Sequence, residues 1–244
     1  ALLLTGGTLT TGAVVNDVWR SRDGVTWSLV VASAPWSPRA NHVMVVLPLD
    51  GSILVIGWGG TDTDCFRSTD EGLTWVPRPG AGGLPRDHAT ASVLLDGCTV
   101  VLAGGASSSG KTNAVYTSSD AGAYWTQLTP AAAWSPRTGH GMVTLLDGSL
   151  CLFGGDDGSG AVSDAWLSFN AGSTWQEADA SSWRAMFNFG HAVVDDGTSH
   201  GAIVTAGGNC GGSCRVASVW TRQVRAGAAP HGCTFSGYTL VACP

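Results

Sequence analysis

The chain of 244 residues contains 35 glycines and 11 tryptophans, and only 12% of its residues are charged, against about 25% in ordinary globular proteins. Its formal net charge of −6 excludes the basic surface with which proteins bind nucleic acids. No apolar run approaches the roughly 20 residues of a membrane-spanning helix, and no stretch repeats apolar residues at the helical spacing of i, i+3, i+4 and i+7. This composition favours short strands joined by tight turns.

The amino terminus carries no recognisable secretion signal. Its opening residues, ALLLTGG, are apolar but too few, and no charged leader precedes them. Since the chain also begins without methionine, we expect it to be a mature product or a piece of a longer protein.

A turn closed by a tryptophan recurs along the chain. Its four copies are SRDGVTW at 21–27, STDEGLTW at 68–75, SSDAGAYW at 118–125 and SFNAGSTW at 168–175. The closing tryptophans stand 48, 50 and 50 residues apart, at Trp27, Trp75, Trp125 and Trp175. Such a period is the signature of a repeat architecture.

Four further markers share this period. Apolar runs that end in a glycine pair occur at 2–7, 53–60, 99–105, 149–155 and 202–208. Asp-Gly pairs precede the last four runs, at Asp50-Gly51, Asp96-Gly97, Asp147-Gly148 and Asp196-Gly197. An arginine and a histidine stand further upstream, as Arg39 with His42, Arg86 with His88, Arg137 with His140 and Arg184 with His191. An aromatic residue precedes each closing tryptophan, at Trp19, Phe66, Tyr116 and Trp166.

Each unit is predicted to form four short strands. The Asp-Gly turn joins two apolar runs into a hairpin, a polar loop leads to a third strand, and the tryptophan turn leads to a fourth. Four strands in about 50 residues predict an all-β fold, a β-propeller of four-stranded antiparallel blades. The five recognisable units span approximately 1–30, 36–78, 84–128, 134–178 and 183–224.

Both ends depart from this pattern. The first unit starts at a glycine-pair strand and lacks its first strand, and the fifth has no tryptophan turn. Residues 225–244 form a cysteine-containing tail, which we expect either to close the ring by pairing with the opening unit or to begin a following segment. Five blades result if the tail closes the ring, and more if further blades precede the chain.

Two patterns carry a resemblance to known families. The order of Arg/His pair, Asp-Gly hairpin, Gly-Gly run and aromatic residue resembles the kelch repeat. The S-x-D-x-G-x-T-W turn resembles the Asp-box of sialidase-like propellers. Together these resemblances cover residues 1–224 and imply a propeller in which the Asp-box residues have a structural role.

The residues of the tryptophan turns are interpreted as structural. Asp and Asn side chains in turns accept hydrogen bonds from nearby backbone N–H groups, and a tryptophan can cover the turn. Four equivalent copies also argue against catalysis, because an active site needs different groups that converge once. The residues concerned are Asp23, Trp27, Asp70, Trp75, Asp120, Trp125, Asn170 and Trp175.

The arginines before each first strand have two interpretations. In the first, arginine and histidine bond to the backbone of neighbouring blades and fix their stagger. In the second, the arginines form a cationic ring at the channel mouth that holds a carboxylate or sulfate group. The predicted binding arginines are Arg39, Arg86, Arg137 and Arg184.

The variable loops between second and third strands are predicted to share a face with these arginines, and such loops often carry recognition. Four acidic residues there are either calcium ligands or solvated acids: Asp62, Asp64, Asp156 and Asp157. We expect no other cofactor and no metal besides this calcium alternative.

Four of the seven cysteines lie in the last 35 residues. CGGSC and CTFSGYTLVAC each have a length that a local disulfide can close, so the candidates are Cys210, Cys214, Cys233 and Cys243. A zinc site with His231 is the alternative, although its spacing fits no standard ligand pattern. Disulfides favour an extracellular or cell-surface location.

We therefore expect a non-enzymatic interaction or structural module of a larger cell-surface, wall or appendage assembly. Its protein or glycan partner would bind the face with the variable loops, without nucleic acid or membrane insertion. One alternative is a sialidase-like glycan-active enzyme, which needs an arginine triad, a tyrosine nucleophile and acidic partners; the positions of Tyr116, Tyr124 and Tyr238 do not fit this arrangement. The other is an intracellular kelch adaptor that binds an acidic peptide.

Overall fold

The computed structural model describes residues 1–57, 65–78, 80, 84, 87–178, 184–211, 219–226 and 233–241. These residues form strands and turns, and among them no helix is long and apolar enough to cross a membrane. Arg86, Asp62, Asp64, Cys214, His231 and Cys243 lie outside the described residues. Their predicted roles stay predictions.

Five antiparallel sheets follow one another along the chain. The first has three strands in the order β1 (Leu2–Thr8), β2 (Val14–Ser21) and β3 (Trp27–Val31). The second is β4 (Val43–Val46), β5 (Ile53–Ile56), β6 (Cys65–Ser68) and β7 (Val76–Arg78). The third is β8 (Thr90–Val93), β9 (Val100–Ala103), β12 (Val115–Ser118) and β13 (Thr126–Thr129).

The remaining strands complete the series. The fourth sheet is β14 (Gly141–Thr144), β15 (Leu150–Phe153), β16 (Ala165–Ser168) and β17 (Gln176–Glu177). The fifth is β18 (Gly190–Val194), β19 (Ala202–Ala206), β20 (Val219–Ala226) and β21 (Cys233–Val241). A small hairpin, β10 (Ala106–Ser107) with β11 (Gly110–Lys111), lies in the loop between β9 and β12. The predicted all-β fold of four-stranded antiparallel blades is confirmed.

The tail differs from the prediction. Residues Cys233–Val241 form β21, which pairs with β20 from Val219 opposite Val241 to Ala226 opposite Cys233. The described part of the tail therefore pairs with the fifth sheet, and the alternative that the tail begins a following segment stays a prediction. The fifth unit has no tryptophan turn to supply a fourth strand, so the tail strand covers the edge of β20 that would otherwise expose unpaired N–H and C=O groups.

The second strands of the apolar hairpins are buried where successive sheets pack against one another, and the first strands β4, β8 and β18 are mostly half-buried or exposed. The first strands of the second to fifth sheets, β4, β8, β14 and β18, lie next to one another in chain order. All four residues of β5, β9 and β15 are buried, as expected for strands covered on both faces. Leu54 and Leu102, from neighbouring sheets, share one core cluster, and Val101 and Leu150 share the next. This radial stacking is the arrangement of propeller blades.

The tryptophan turn at 68–75 is held by its aspartate. Asp70 accepts hydrogen bonds from the Ser68 hydroxyl at 2.8 Å, the Thr74 N–H at 2.9 Å and the Thr74 hydroxyl at 2.5 Å. Gly72 takes a left-handed conformation with φ of 86°, and its carbonyl accepts the Trp75 indole N–H at 3.0 Å. The carboxylate and the indole therefore fix opposite sides of one turn.

The other three turns repeat the hydrogen bonds to the Asp or Asn side chain, and Trp175 repeats the indole bond to a glycine carbonyl, whereas the Trp125 indole N–H is buried without a partner and Trp27 is exposed. Asp23 accepts the N–H groups of Val25 and Thr26, at 2.9 Å and 2.8 Å. Asp120 accepts the Tyr124 N–H at 3.0 Å. Asn170 accepts the Thr174 N–H at 2.9 Å, and its amide donates to the Thr174 hydroxyl. An asparagine thus replaces the aspartate without loss of these contacts.

Candidate functional site

Two of the four arginines predicted to bind a ligand, Arg39 and Arg137, are buried between blades. Arg39 and Arg137 are both fully buried, so their guanidinium groups cannot form a cationic ring at the channel mouth. The Arg39 Nη1 donates to the Gly57 carbonyl at 2.7 Å, and the Arg137 Nη1 donates to the Gly154 carbonyl at 2.9 Å. The binding prediction for these two arginines is wrong, because the backbone carbonyls and aromatic rings of the blades enclose them.

Each of these arginines connects two blades. The Arg137 carbonyl accepts the Gly105 N–H of the preceding blade at 2.9 Å, while the side chain bonds within its own blade. The Arg39 carbonyl likewise accepts the Gly7 N–H at 2.8 Å. The guanidinium carbons lie 5.7 Å from the Trp36 ring centre and 5.9 Å from that of Trp134, within the range of cation–π attraction. Arg184 is exposed, with Nη2 3.8 Å from the Cys210 sulfur.

An open pocket of about 460 Å³ lies where the first strands begin. Its wall is built by the segments that enter β4, β8, β14 and β18. The polar side chains that line it are His42, His88, His140, His191, Asn41, Asn188 and Thr90. No arginine, carboxylate or tyrosine is among the described residues of its wall. We call this feature the central pocket.

A chain of backbone hydrogen bonds runs along the rim of the central pocket. Four residues in successive blades have a left-handed backbone, with φ of 58° at Asn41, 50° at His88, 64° at Gly139 and 54° at Asn188. The His88 N–H donates to the Asn41 carbonyl at 3.2 Å, the Gly139 N–H to the His88 carbonyl at 3.0 Å, and the Asn188 N–H to the Gly139 carbonyl at 2.8 Å. Each blade is therefore tied to the next at the channel mouth. The left-handed backbone suits Gly and Asn, and His is enriched there as well.

The buried histidines of the central pocket are neutral. Burial and the nearby Arg137 lower the pKa of His140 to about 3, and burial and Arg39 lower that of His42 to about 4. Neither ring nitrogen of His140 makes a hydrogen bond of normal geometry, although the Ala103 carbonyl lies close enough to favour the protonated form slightly. His42 uses Nε2 with the Thr5 hydroxyl at 2.8 Å, while its Nδ1 is buried without a partner.

The histidines do not occupy equivalent positions, contrary to the pattern of Arg/His pairs. In the chain of hydrogen bonds along the rim, His88 takes the position that Asn41, Gly139 and Asn188 take in the other blades. His42 and His140 follow their rim residues directly, whereas His191 follows Asn188 by three positions. The sequence reasoning missed Asn41 and Asn188 as pocket residues. The unequal distances between arginine and histidine, from two to seven residues, were the available signal.

Asp156 and Asp157 lie in the loop between β15 and β16 and bond to groups that fix its conformation. Asp156 pairs with the Lys111 ammonium at 2.8 Å and accepts the Gly158 N–H at 2.7 Å. Asp157 accepts the N–H and the hydroxyl of Ser159, at 2.9 Å and 2.6 Å. Across the described parts of the chain, no three His, Cys, Asp or Glu residues are grouped to hold a metal ion. The calcium interpretation of Asp156 and Asp157 stays a prediction.

The cysteines divide into two sets. Cys65, Cys98 and Cys151 are thiols outside any disulfide. The candidate disulfide partners include Cys214 and Cys243, which lie outside the described residues, and Cys233, whose side chain is not described. The predicted pairings among the four tail cysteines therefore stay predictions.

Tyr116 and Tyr124 are not in the wall of the central pocket. Tyr124 belongs to a tryptophan turn and is exposed, and Tyr116 lies on β12 and accepts a hydrogen bond from Gln127 at 3.2 Å. Tyr238 lies in β21. A sialidase-like site needs a tyrosine nucleophile beside an acid and an arginine cluster, and the wall of the central pocket has none of these groups among its described residues.

Comparison with known proteins supports the propeller fold. A family model described as the DUF6242 beta propeller domain matches residues 96–221. A solved structure of YjhT is similar to this chain with a TM-score of 0.72 and 16% sequence identity, covering 96% of this chain and 80% of that chain. At this identity the likeness concerns the fold alone. No curated protein matches the chain significantly.

Proposed function

Since the chain belongs to the DUF6242 beta propeller domain family, we propose that it is a non-enzymatic interaction module that binds a protein or glycan partner at the central pocket. The observation that carries this proposal is an open pocket whose wall presents polar side chains, the amides of Asn41 and Asn188 and the imidazoles of four histidines. A ligand with hydroxyl or amide groups can bond to such groups, because they include both donors and acceptors.

The polarity of the central pocket favours a neutral partner. The lowered pKa values of His42 and His140 keep these two side chains uncharged at neutral pH, and the rim presents the amides of Asn41 and Asn188. Such groups offer both donors and acceptors, which suits a sugar hydroxyl or a peptide group better than an anion. This chemistry argues against the cationic ring and the acidic-peptide adaptor, since the guanidinium groups of Arg39 and Arg137 are buried.

The assignment to an extracellular assembly is part of the same proposal. It is supported by the four tail cysteines and the low content of charged residues. The resemblance of the repeat to kelch units and of its tryptophan turns to Asp-boxes also belongs here, and the hydrogen bonds around Asp70 and Asp23 are consistent with it.

The test is binding of a panel of neutral oligosaccharides and short uncharged peptides, followed by the imidazole NMR signals of His42, His140 and His191. The triple variant Asn41→Gly/His88→Gly/Asn188→Gly removes the polar rim yet keeps a residue that accepts a left-handed backbone. We expect at least a tenfold loss of affinity in this variant and none in Arg22→Gln, which lies beside the first tryptophan turn. Unshifted imidazole signals with every probe would contradict the proposal, and turnover of a sialoside would favour the enzymatic alternative.

A further inference from the structure

Three leucines on the turn face of the blades are exposed at equivalent positions. Leu49, Leu95 and Leu146 each stand directly before an Asp-Gly pair, and their exposed fractions are 70%, 63% and 41%. Their close neighbours Leu47 and Leu145 are buried. We call Leu49, Leu95 and Leu146 the leucine stripe.

The fifth unit has no leucine at this position. In the fifth unit the equivalent residue is Asp195, which precedes Asp196-Gly197 and accepts the Gly197 N–H at 2.9 Å. An acidic residue therefore occupies the corresponding place in the fifth unit, where the turn between Val194 and Ala202 is longer than the turn between Thr144 and Leu150. Since an aliphatic side chain gains free energy on burial, three exposed leucines on one face indicate a surface that another molecule covers.

The leucine stripe continues from blade to blade. The Leu49 N–H donates to the Gly97 carbonyl at 3.1 Å, and a Cβ on Gly97 would lie 3.3 Å from the Leu49 Cβ. A Cβ on Gly148 would lie 3.3 Å from the Leu95 Cδ1. Each leucine thus lies against the glycine turn of the following blade, so the three side chains follow one path across three turns.

A small pocket adjoins the stripe at Leu49. Its volume is about 230 Å³, and Leu49, Asp50, Arg67, Cys98 and Asp120 are in its wall. This pocket brings the Asp-Gly turn of one blade and the tryptophan turn of the next to the same face. Tyr124, in that tryptophan turn, is exposed beside Asp120.

Carboxylates accompany the leucines along the stripe, and two of them lie beside basic side chains. An aspartate follows each leucine, at Asp50, Asp96 and Asp147. Arg67 pairs with Asp50, and His200 lies 3.2 Å from Asp147. The Asp96 carboxylate instead accepts the Cys98 and Thr99 N–H groups, at 3.0 Å and 2.8 Å, and is exposed to solvent. Apolar side chains beside carboxylates complement a partner that carries aliphatic and basic groups together.

We propose that the leucine stripe is a second docking surface, which binds a segment of a partner protein that presents aliphatic side chains next to lysine or arginine. This surface lies on the opposite face from the central pocket and does not depend on the function proposed for that pocket. A protein with both surfaces can hold two partners at once, one on each side of the blades.

The probe is a nine-residue peptide of alternating lysine and leucine, and its binding is followed by the methyl NMR signals of the leucines. We expect shifts at Leu49, Leu95 and Leu146, and at least a tenfold loss of affinity in Leu49→Ser/Leu95→Ser. The matched control Leu29→Ser changes an exposed leucine of β3, and its affinity stays unchanged.

Two comparison peptides separate this proposal from general attraction to an acidic protein. Replacement of the peptide's leucines by serine, or of its lysines by glutamate, is expected to lower the affinity at least tenfold. Equal binding of the serine peptide, or an unchanged affinity in Leu49→Ser/Leu95→Ser, would overturn the proposal. The variant Asn41→Gly/His88→Gly/Asn188→Gly is expected to bind the lysine–leucine peptide normally, so failure of the pocket and failure of the stripe are distinguishable.

Discussion

Arg137 and Asp164 form a bidentate ion pair, in which both terminal guanidinium nitrogens donate to the carboxylate, at 2.6 Å and 2.7 Å. The Trp166 indole donates to the same carboxylate at 2.8 Å. Although burial acts to raise it, these hydrogen bonds hold the pKa of Asp164 below its ordinary value. The pair joins the segment before β14 to the loop before β16, so it fixes one wall of the central pocket.

Loss of this carboxylate should destabilise the fold strongly. In Asp164→Ala the fully buried Arg137 loses its charge partner, and we expect the free energy of unfolding to fall by about 3 kcal/mol. The control is Glu71→Ala, which breaks the exposed pair with Arg20 and should cost less than about 1 kcal/mol. Urea denaturation measures both values. Equal losses in the two variants would contradict the assigned role of Asp164.

Replacement of Asp70 tests the structural interpretation of the tryptophan turns. In Asp70→Ala the Thr74 N–H and the Ser68 hydroxyl lose their acceptor, so we expect a loss of about 1–3 kcal/mol. Asp70→Asn should cost less, because Asn170 makes the same contacts in its own turn. Thermal unfolding gives the stability, and oligosaccharide binding gives the function. Lost binding with an unchanged melting temperature would contradict this interpretation.

Stability should fall as the pH is lowered from about 6.5 towards 4, because the unfolded chain binds protons at histidines that stay neutral when folded. The pKa is lowered to about 3 at His140 and about 4 at His42. Each should therefore remove about 2 kcal/mol between pH 7.5 and pH 5. Urea denaturation across this range measures the loss. His140→Gln should show a shallower pH dependence than the native chain, and parallel curves would refute the assignment.

A thiol count tests the two sets of cysteines. If Cys210, Cys214, Cys233 and Cys243 form two disulfides, the unfolded and unreduced protein exposes the three thiols of Cys65, Cys98 and Cys151. Titration with a thiol reagent in denaturant should then give three equivalents, rising to the total of seven cysteines after reduction. Seven equivalents before reduction would contradict the extracellular proposal.

The strands and turns could be predicted from the sequence because local chemistry determines them. Asp50-Gly51 forms the turn of a hairpin, as an Asp-Gly pair after an apolar run predicts. Asp70 accepts the backbone N–H of its own turn. The central pocket could not be predicted in the same way. Its rim depends on which residue of each blade reaches the next, and His88 and His191 occupy different levels although both follow an arginine.

Long-range partners account for the other differences. The tail was expected to pair with the opening unit, yet β21 pairs with β20, because two edges were available and local sequence does not choose between them. Arg39 and Arg137 were predicted at the channel mouth from their place before the first strands. Their side chains instead turn inward towards the carbonyls of Gly57 and Gly154, which lie many residues further along the chain.

The backbone bonds along the rim of the central pocket also bear on how the molecule unfolds. Because Asn41, His88, Gly139 and Asn188 are bonded in series, opening one blade breaks bonds of both its neighbours. Arg137 adds to this coupling, because its carbonyl bonds to the preceding blade and its guanidinium bonds within its own blade. In repeat proteins such nearest-neighbour terms make the array unfold cooperatively. Neighbouring blades should therefore melt together, and damage at the rim of the central pocket should spread from blade to blade.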